Sequence, residues 1–310
     1  MYGARNASII GGAAKVQILF GCCQWLVTFA VMQLAVSTLA FIGMPAEDIV
    51  LLAQKNNWTI EFSSGMPYRE DMEEFFIHAP IKRLAHNYFP APKIPFVLNL
   101  ASSDIQIRNQ SIAHCINGLQ LSKQVDATFF SAHAGFCVDP HPDELGSKLV
   151  LSNSIDRKKH WALFSDSLKI VVAKAQELET KFLIENNVLA SVNVHPDGSN
   201  PLLCCDADEM LLILQDVNHT NLGLLIDTAH IKVSANTLKF NADEAIKKIA
   251  DKVLCVHHSD NDGSFDTNDK LNNDYWFLPH MKYFKEIVHV LEVKKLTAEE
   301  INQQLNLVLN

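Results

Sequence analysis

Residues 224–230 read LLIDTAH, and this stretch decides the fold because a short apolar run leads directly into an acid and then a histidine. The same arrangement occurs in FLIE at residues 182–185, in VLCVH at 253–257 and in VHVLE at 288–292. Each run has the length of a buried strand, and helix-like segments separate the four runs. Polar residues at the carboxyl ends of consecutive parallel strands meet on one face of a barrel, where active sites are built. The pattern therefore predicts a barrel with a polar site at one end.

On both sides of this stretch, predicted strands alternate with predicted helices. We predict eight strands, at residues 34–41, 58–62, 83–86, 128–133, 181–186, 222–227, 252–257 and 287–293. Such alternation with short turns indicates a parallel sheet, and eight repeats indicate a closed barrel rather than an open sheet. The predicted fold is α/β, a single-domain (β/α)8 TIM barrel over residues 32–310.

The N-terminal residues differ from the rest of the chain. Residues 17–42 form an almost continuous apolar segment without a charged residue. A segment of this length is long enough for a membrane anchor. Arg5 and Lys15 before this stretch also fit a secretory signal, although no clear small-x-small cleavage site follows. The alternation from residue 33 to 41 is that of a first barrel strand, so the apolar window overlaps a strand that the barrel needs. We therefore interpret residues 1–31 as an N-terminal extension outside the barrel.

Composition narrows the classes of protein that this chain can be. Its 310 residues are 48% hydrophobic and 20% charged, an ordinary globular composition. A net charge of −9 without a cluster of Lys and Arg argues against nucleic acid as a partner. The seven cysteines are odd in number and lack the spacing of a zinc site, so we expect reduced thiols in a cytoplasmic protein.

Four residues at the strand ends form a mixed oxygen and nitrogen set that suits a divalent metal ion. They are Glu185, Asp227, His257 and Glu292. Asp227 could instead cap the turn that follows it, but a histidine three residues later can face the same site. Successive side chains of a strand point to opposite faces. We therefore expect His257 to point inward and His258 to lie on the surface or behind the site. Glu292 is flanked by apolar residues, where a carboxylate is costly unless it is paired or bound to metal.

Two further histidines and one lysine are candidate substrate contacts. His86 and His133 end the third and fourth predicted strands, although each alone could be a hydrogen-bonded core histidine. The proline-rich loop after His86 is long, and such a loop inside a compact domain is usually functional. Lys93 on this loop could meet a phosphate or carboxylate, and the alternative is a rigid connector. A second cation, Arg69 or Lys232, would strengthen the phosphate interpretation.

A series of short motifs follows the strand ends. The motifs are SAH at 131–133, IEN at 184–186, IDTAH at 226–230, VHHSDNDG at 256–263 and LEV at 291–293. Their order resembles that of the xylose isomerase-like TIM barrels, a superfamily of sugar and sugar-phosphate isomerases, epimerases and endonuclease IV. The resemblance covers roughly residues 34–295, the usual extent of such a barrel. In the isomerase and epimerase branch it implies one divalent metal ion, such as manganese, cobalt, magnesium or zinc, on the four ligands named above.

The resemblance implies a metal-dependent isomerase or epimerase that acts on a small sugar or sugar phosphate. In that mechanism the metal polarises the carbonyl and the adjacent hydroxyl, and a carboxylate removes a proton to give an enediolate. It implies that Glu185 and Glu292 are the catalytic proton-handling groups and that His230 holds a substrate oxygen. Barrels of this kind often form dimers or tetramers, and we expect neither a nucleic-acid nor a membrane partner.

Two other functions remain open. The endonuclease IV branch uses a larger set of ligands, and this chain has residues in matching order. However, residues 266–268 read DTN where the nuclease pattern has Asp-x-His, and Asn268 is a poor zinc ligand compared with histidine. The lack of a basic face also argues against DNA. The third possibility is a ligand-binding barrel without catalysis, which the complete set of four ligands argues against.

Overall fold

Eight parallel strands form the central sheet of the computed structural model, which describes residues 32–151 and 154–309 in full and three earlier strands by their backbone. The strands are β1 (Gln33–Ser37), β2 (Thr59–Phe62), β3 (Arg83–Ala85), β4 (Phe129–His133), β5 (Lys181–Glu185), β6 (Leu222–Asp227), β7 (Val253–His258) and β8 (Val288–Leu291). Their order is β3-β2-β1-β8-β7-β6-β5-β4, and a bridge between His86 and Ser131 links the two ends. The predicted fold is confirmed as a nearly closed barrel.

α-Helices follow every one of these strands except β7, after which the chain reaches β8 through a 3-10 helix at Leu278–Tyr283. Within the described residues they are α1 (Ala46–Asn56), α2 (Met72–His78), α3 (Ile105–Gln124), α4 (Arg157–Glu177), α5 (Ala207–Val217), α6 (Thr228–Leu238), α7 (Ala242–Ile249) and α8 (Ala298–Leu309). Asp104 caps α3 by accepting the N–H of Gln106 at 2.7 Å. Thr297 and Glu300 each accept the other's backbone N–H, which is the predicted capping box.

The barrel interior explains why the polar groups converge. The interior is filled by the apolar side chains of Ala35, Leu84, Phe129, Leu183, Leu225, Cys255, Val288 and Val290. Successive side chains of a strand point to opposite faces, so a residue two positions after an interior residue also points inward. Leu183, Leu225, Cys255 and Val290 stand two positions before Glu185, Asp227, His257 and Glu292. The intervening residues, such as Ile184 and Ile226, belong to the larger core between strands and helices.

The structure corrects two predicted elements. The strand predicted at 34–41 ends at Ser37 and continues as a 3-10 helix at Thr38–Phe41, where the Ser37 hydroxyl accepts the N–H of Leu39 at 3.3 Å. Helix α6 was not predicted, because Asp227 both ends β6 and caps α6, leaving no turn residues between them. A strand that passes directly into a helix lacks the turn signals on which a sequence reading relies.

Three short strands precede the barrel. Ala7–Ile10, Ala13–Phe20 and Cys23–Ala30 pair antiparallel in a second sheet. The side chains of these strands, on which the interpretations of residues 1–31 depend, lie outside the described residues. The boundary near residue 32 therefore stays a prediction. In the part of the chain that the structure describes, no helix is both long and apolar enough to cross a membrane.

Gly118 shows how closely the helices pack on the barrel. A Cβ atom at this position of α3 would lie 2.3 Å from Cε2 of Phe130, whose ring is fully buried in β4. Replacing glycine by alanine inside a helix favours folding by about 1 kcal/mol, but overpacking a core costs about 1–3 kcal/mol. We expect Gly118→Ala to lower the free energy of unfolding by up to about 2 kcal/mol in urea titrations, since the added methyl group would overlap the buried ring.

Gly65 provides a matched control. A Cβ there would lie 3.6 Å from its nearest neighbour, the carbonyl oxygen of Thr38, which is an ordinary contact. Gly65→Ala should therefore leave stability nearly unchanged. A stabilised Gly118→Ala variant would contradict the prediction and show that the Phe130 ring can move away.

Candidate metal centre

Four strand-end side chains meet at the carboxyl end of the barrel. Glu185 ends β5, Asp227 ends β6, His257 lies near the end of β7, and Glu292 directly follows β8. One possible ligand atom from each lies within 4.8 Å of the others. Nδ1 of His257 is 2.7 Å from Oε2 of Glu292 and 3.7 Å from Oε1 of Glu185. The structure thus brings together the four residues that the sequence predicts as metal ligands.

A second group of possible ligands shares Glu185 with the first. Nε2 of His86 lies 3.1 Å and Nε2 of His133 lies 3.6 Å from Oε2 of Glu185. The candidate ligand atoms of these three residues also lie within 4.8 Å of one another. Glu185 therefore directs Oε1 towards His257 and Oε2 towards the other two histidines. Two adjoining positions could each hold a cation.

His230 lies in the first turn of α6, where its position is held from three sides. Its backbone N–H donates to Oδ1 of Asp227 at 2.8 Å, so Asp227 also acts as the helix cap. Its Nδ1 donates to the carbonyl of Asn186 at 2.9 Å, and its Nε2 lies 3.2 Å from Oδ2 of Asp266. Burial acts to lower the pKa of His230, but the nearby Asp227 and Asp266 carboxylates raise it well above its usual value.

The buried carboxylates have acceptor capacity that a cation would satisfy. Histidine ring nitrogens lie 3.1 to 3.7 Å from the oxygens of Glu185. Both carboxylate oxygens of Glu185 and Oδ2 of Asp227 are buried without a well-aligned hydrogen bond. Burial raises the pKa of Asp227 to about 8. An unpaired buried carboxylate is costly, and a mixed carboxylate and imidazole set binds divalent ions such as Mn²⁺, Co²⁺ and Zn²⁺. The residues present therefore fit a divalent metal ion.

Glu61 is a site residue that the sequence analysis missed. It lies in β2, is fully buried, and places Oε2 3.1 Å from Nε2 of His257. The sequence does carry a signal for Glu61. The stretch TIEF at residues 59–62 places a carboxylate in an apolar strand, as VHVLE at residues 288–292 does for Glu292. A carboxylate that accepts the second ring N–H of a ligand histidine fixes its tautomer and its orientation. Here it would direct Nδ1 of His257 towards Glu185 and Glu292.

We expect Glu61→Gln to weaken divalent-metal binding by about 10- to 100-fold, because the charge that makes His257 a better ligand is removed. The affinity is measured by competition with a chromophoric chelator. Glu70→Gln, an exposed carboxylate change, should leave the affinity unaltered. Unchanged affinity in a folded Glu61→Gln variant would show that Glu61 does not support the ligand histidine.

A cavity of about 640 Å³ opens above these groups, and it is lined by His133, Glu185, His230 and Glu292 among others. Lys93 also lines it, whereas His86 is only 2% exposed and lies behind Glu185, outside the cavity wall that the described residues form. Arg69 and Lys232, the two candidates for a second phosphate-binding cation beside Lys93, do not line this cavity. Arg69 pairs with Glu47 and Asp71, and Lys232 pairs with Asp260, all at 2.6 Å.

His258 is not on the surface, contrary to one of the two predicted placements. It is fully buried and faces away from the four ligands. Its Nδ1 lies 3.0 Å from the hydroxyl of Tyr275, and its Nε2 lies 2.8 Å from Nδ1 of His289. A strand of a barrel wrapped by helices buries both faces, so the residue next to an inward-facing one lies in the outer core.

Comparisons with known proteins agree with this architecture. The family model of the xylose isomerase-like TIM barrel matches residues 55–291. A curated relative, the probable endonuclease 4 of Carboxydothermus hydrogenoformans, is 24% identical over 225 residues, which cover 67% of this chain and 70% of the relative.

Solved structures of similar fold include sugar epimerases. A D-tagatose 3-epimerase-like protein has a TM-score of 0.65 at 19% identity, covering 89% of this chain and 98% of its own. The IOLI protein with a bound zinc atom has a TM-score of 0.63 at 18% identity, covering 90% and 96%. These likenesses show the fold, and the family model matches well over half of the sequence. The chain belongs to the xylose isomerase-like TIM barrel family.

Proposed function

We propose that this protein is a metal-dependent isomerase or epimerase that acts on a small sugar. The observation that carries the proposal is the set of four ligand atoms within 4.8 Å of one another, two of whose residues, Glu185 and Glu292, line a cavity of about 640 Å³. Cavities of this size take small molecules. The sugar-epimerase neighbours in the same fold support the choice of substrate class.

The four ligands have defined roles in this proposal. Glu185, Asp227, His257 and Glu292 would hold one divalent ion, either manganese, cobalt, magnesium or zinc. When bound, the ion would polarise the substrate's carbonyl and adjacent hydroxyl. Asp227 uses Oδ1 to cap α6 and keeps Oδ2 free for the ion. His257 is held by Glu61 from the opposite side.

In this proposal, Glu185 and Glu292, whose carboxylates line the cavity, transfer the protons. One of Glu185 and Glu292 removes the proton from the carbon beside the carbonyl. The other returns a proton to the neighbouring carbon or to the opposite face of the same carbon. His133 and His230 contact substrate oxygens from the cavity wall, and Lys93 does so at the entrance.

His86 has a less direct place in the site. It lies behind Glu185, with Nδ1 2.9 Å from the Ser131 hydroxyl and Nε2 3.1 Å from Oε2 of Glu185. We therefore assign its effect on substrate to the orientation of Glu185.

The charge of the cavity favours a small neutral substrate over nucleic acid. Among the described residues that line it, Lys93 is the one lysine or arginine. Binding to a DNA backbone depends on several Lys and Arg contacts with phosphates. A net charge of −9 adds no attraction for DNA.

A nuclease like endonuclease 4 is the second candidate, and one specific observation favours it. His86, His133 and Glu185 form a second cation position beside the first, and His230 with Asp266 lies close by. The curated relative at 24% identity is named a probable endonuclease 4. Against it, Asn268 stands where that pattern has a histidine ligand.

Metal stoichiometry separates the candidates. We would measure the metal content of the purified chain by elemental mass spectrometry and then assay a panel of ketoses and an oligonucleotide with an abasic site. About one ion per chain with sugar turnover would support the isomerase or epimerase. Two or three zinc ions with strand cleavage would support the nuclease instead. A protein that binds no metal after reconstitution would contradict both enzymes and leave a ligand-binding barrel.

A further inference from the structure

The cavity above the ligands has two chemically different parts. Its polar part is formed by Glu185, Glu292, Asp266, His133 and His230. Its walls are mainly apolar and include Tyr88, Pro92, Phe96, Phe136, Leu149 and Leu202. A volume of about 640 Å³ is typical of sites for drug-sized ligands, and a single sugar ring would fill only part of it.

The apolar walls are anchored by hydrogen bonds. The hydroxyl of Tyr88 accepts the N–H of Leu98 at 3.0 Å, so the polar end of this side chain is already satisfied. The backbone N–H of Phe136 donates to Oδ1 of Asn99 at 2.9 Å, and its carbonyl accepts from Nδ2 of the same residue at 3.1 Å. These contacts give the outer part of the cavity a preformed shape, which favours binding because less entropy is lost.

Apolar side chains also stand exposed around the entrance. Tyr68 is 45% exposed, Leu145 39% and Phe265 47%, and all three line the cavity. They come from three separate loops at the same end of the barrel. Exposed apolar side chains that gather around a pocket mark a binding site for apolar surface.

Asn87 lines the cavity and carries a side-chain acceptor that is unsatisfied. It is 2% exposed, and its Oδ1 is buried without a hydrogen bond. Its backbone is held, since its N–H donates to the Ser131 carbonyl at 2.7 Å and its own carbonyl accepts Nε2–H of His114 at 2.8 Å. A buried acceptor without a partner is costly, and a ligand hydroxyl would satisfy it.

We propose that the substrate is a sugar that is joined to an apolar group through its anomeric oxygen, in the manner of a glycoside, and that keeps a carbonyl elsewhere on its ring, rather than a free sugar or a sugar phosphate. The sugar lies over the ligands with a hydroxyl donating to Oδ1 of Asn87. The apolar group lies between Tyr88, Phe136 and the exposed rim. This inference rests on the proposed function for the placement of the sugar end.

The test measures affinity rather than turnover. The metal-loaded full chain is titrated calorimetrically with n-alkyl β-D-glucosides and β-D-galactosides from methyl to hexyl. Burying one methylene group is expected to tighten binding about fourfold, so at least one of the two series should show Kd falling steadily with chain length. Flat affinity in both series would overturn the inference, even if free sugars were turned over. A steady fall without isomerase activity would support the inference and count against the proposed function.

Three variants and one control variant show where in the cavity the effect arises. Leu145→Ser and Phe265→Ser should reduce the gain per methylene group, because they remove apolar surface at the rim. Leu51→Ser makes the same change at a residue of α1 that is 62% exposed and does not line the cavity, and it should leave the series unchanged. Asn87→Ala should weaken all members of the series by a similar factor. If the rim variants altered only the association of two chains, as seen by ultracentrifugation, the inference would be wrong.

Discussion

Glu185→Gln is expected to lower kcat by about 10²- to 10⁴-fold, the usual contribution of a general base or acid. Glutamine has the shape of glutamate, but its amide cannot accept the substrate proton. The variant also loses an anionic ligand at the point that both cation positions share. Turnover is measured on the sugar that the wild-type protein converts, at saturating metal, so that the loss of chemistry is separated from the loss of metal.

Glu292→Gln should cause a loss of similar size, because the second proton transfer falls to this residue. The matched control is Glu286→Gln, an exposed carboxylate just before β8 at the opposite end of the barrel. It should retain full activity. If the Glu185 and Glu292 variants both kept full activity with full metal content, the proposed proton-transfer mechanism would be wrong.

Asp227→Ala is expected to abolish stoichiometric metal binding. The substitution removes the free Oδ2 and also the helix cap, since Oδ1 accepts the N–H of His230. Loss of a cap alone costs about 0.5–2 kcal/mol of stability, so Asp227→Asn should accompany it. An asparagine can still cap the helix but is a weaker ligand, and it should fold normally while binding much less metal in elemental analysis.

Proton release provides a second readout for Asp227. Burial raises its pKa to about 8, so this carboxyl takes up a proton near neutral pH far more readily than an ordinary one, and an incoming cation displaces that proton. Metal affinity of the wild-type protein should therefore fall as the pH is lowered from 8 to 6. Calorimetry in buffers of different ionisation heat should show fewer protons released per metal ion bound by Asp227→Asn than by the wild-type protein. Equal release in both proteins would assign the protons to other ligands.

Much of the candidate site could be predicted because one local rule places it. Apolar residues at alternating positions identify a strand, and a polar residue at its carboxyl end identifies the active face. For Asp227 and Glu292 the immediate sequence was sufficient, since each follows an unmistakable apolar run. The starts of α3 and α5 were predictable for the same reason, because Asp104 and Asp206 carry their capping signals in the sequence.

Other parts of the site depend on distant contacts. Glu61 meets His257 across 196 positions of sequence, so its role could not be read from its neighbours alone. Asp266 reaches His230 from a loop without a regular pattern. Arg69 and Lys232 were plausible second cations beside Lys93, but each pairs with a carboxylate away from the cavity.

By itself, the sequence determined the barrel and the four groups at its carboxyl end. The alternation of side chains along a strand depends only on neighbouring residues, so it can be recognised before the pairing of the strands is known. The tertiary structure alone decided that Glu185 is shared between two groups and that Glu61 holds His257. It also decided that loops from separate strands enclose a cavity with largely apolar walls, on which Lys93 is the one lysine or arginine among the described lining residues. These features arise from residues far apart in sequence, which closure of the barrel brings within a few ångströms of one another.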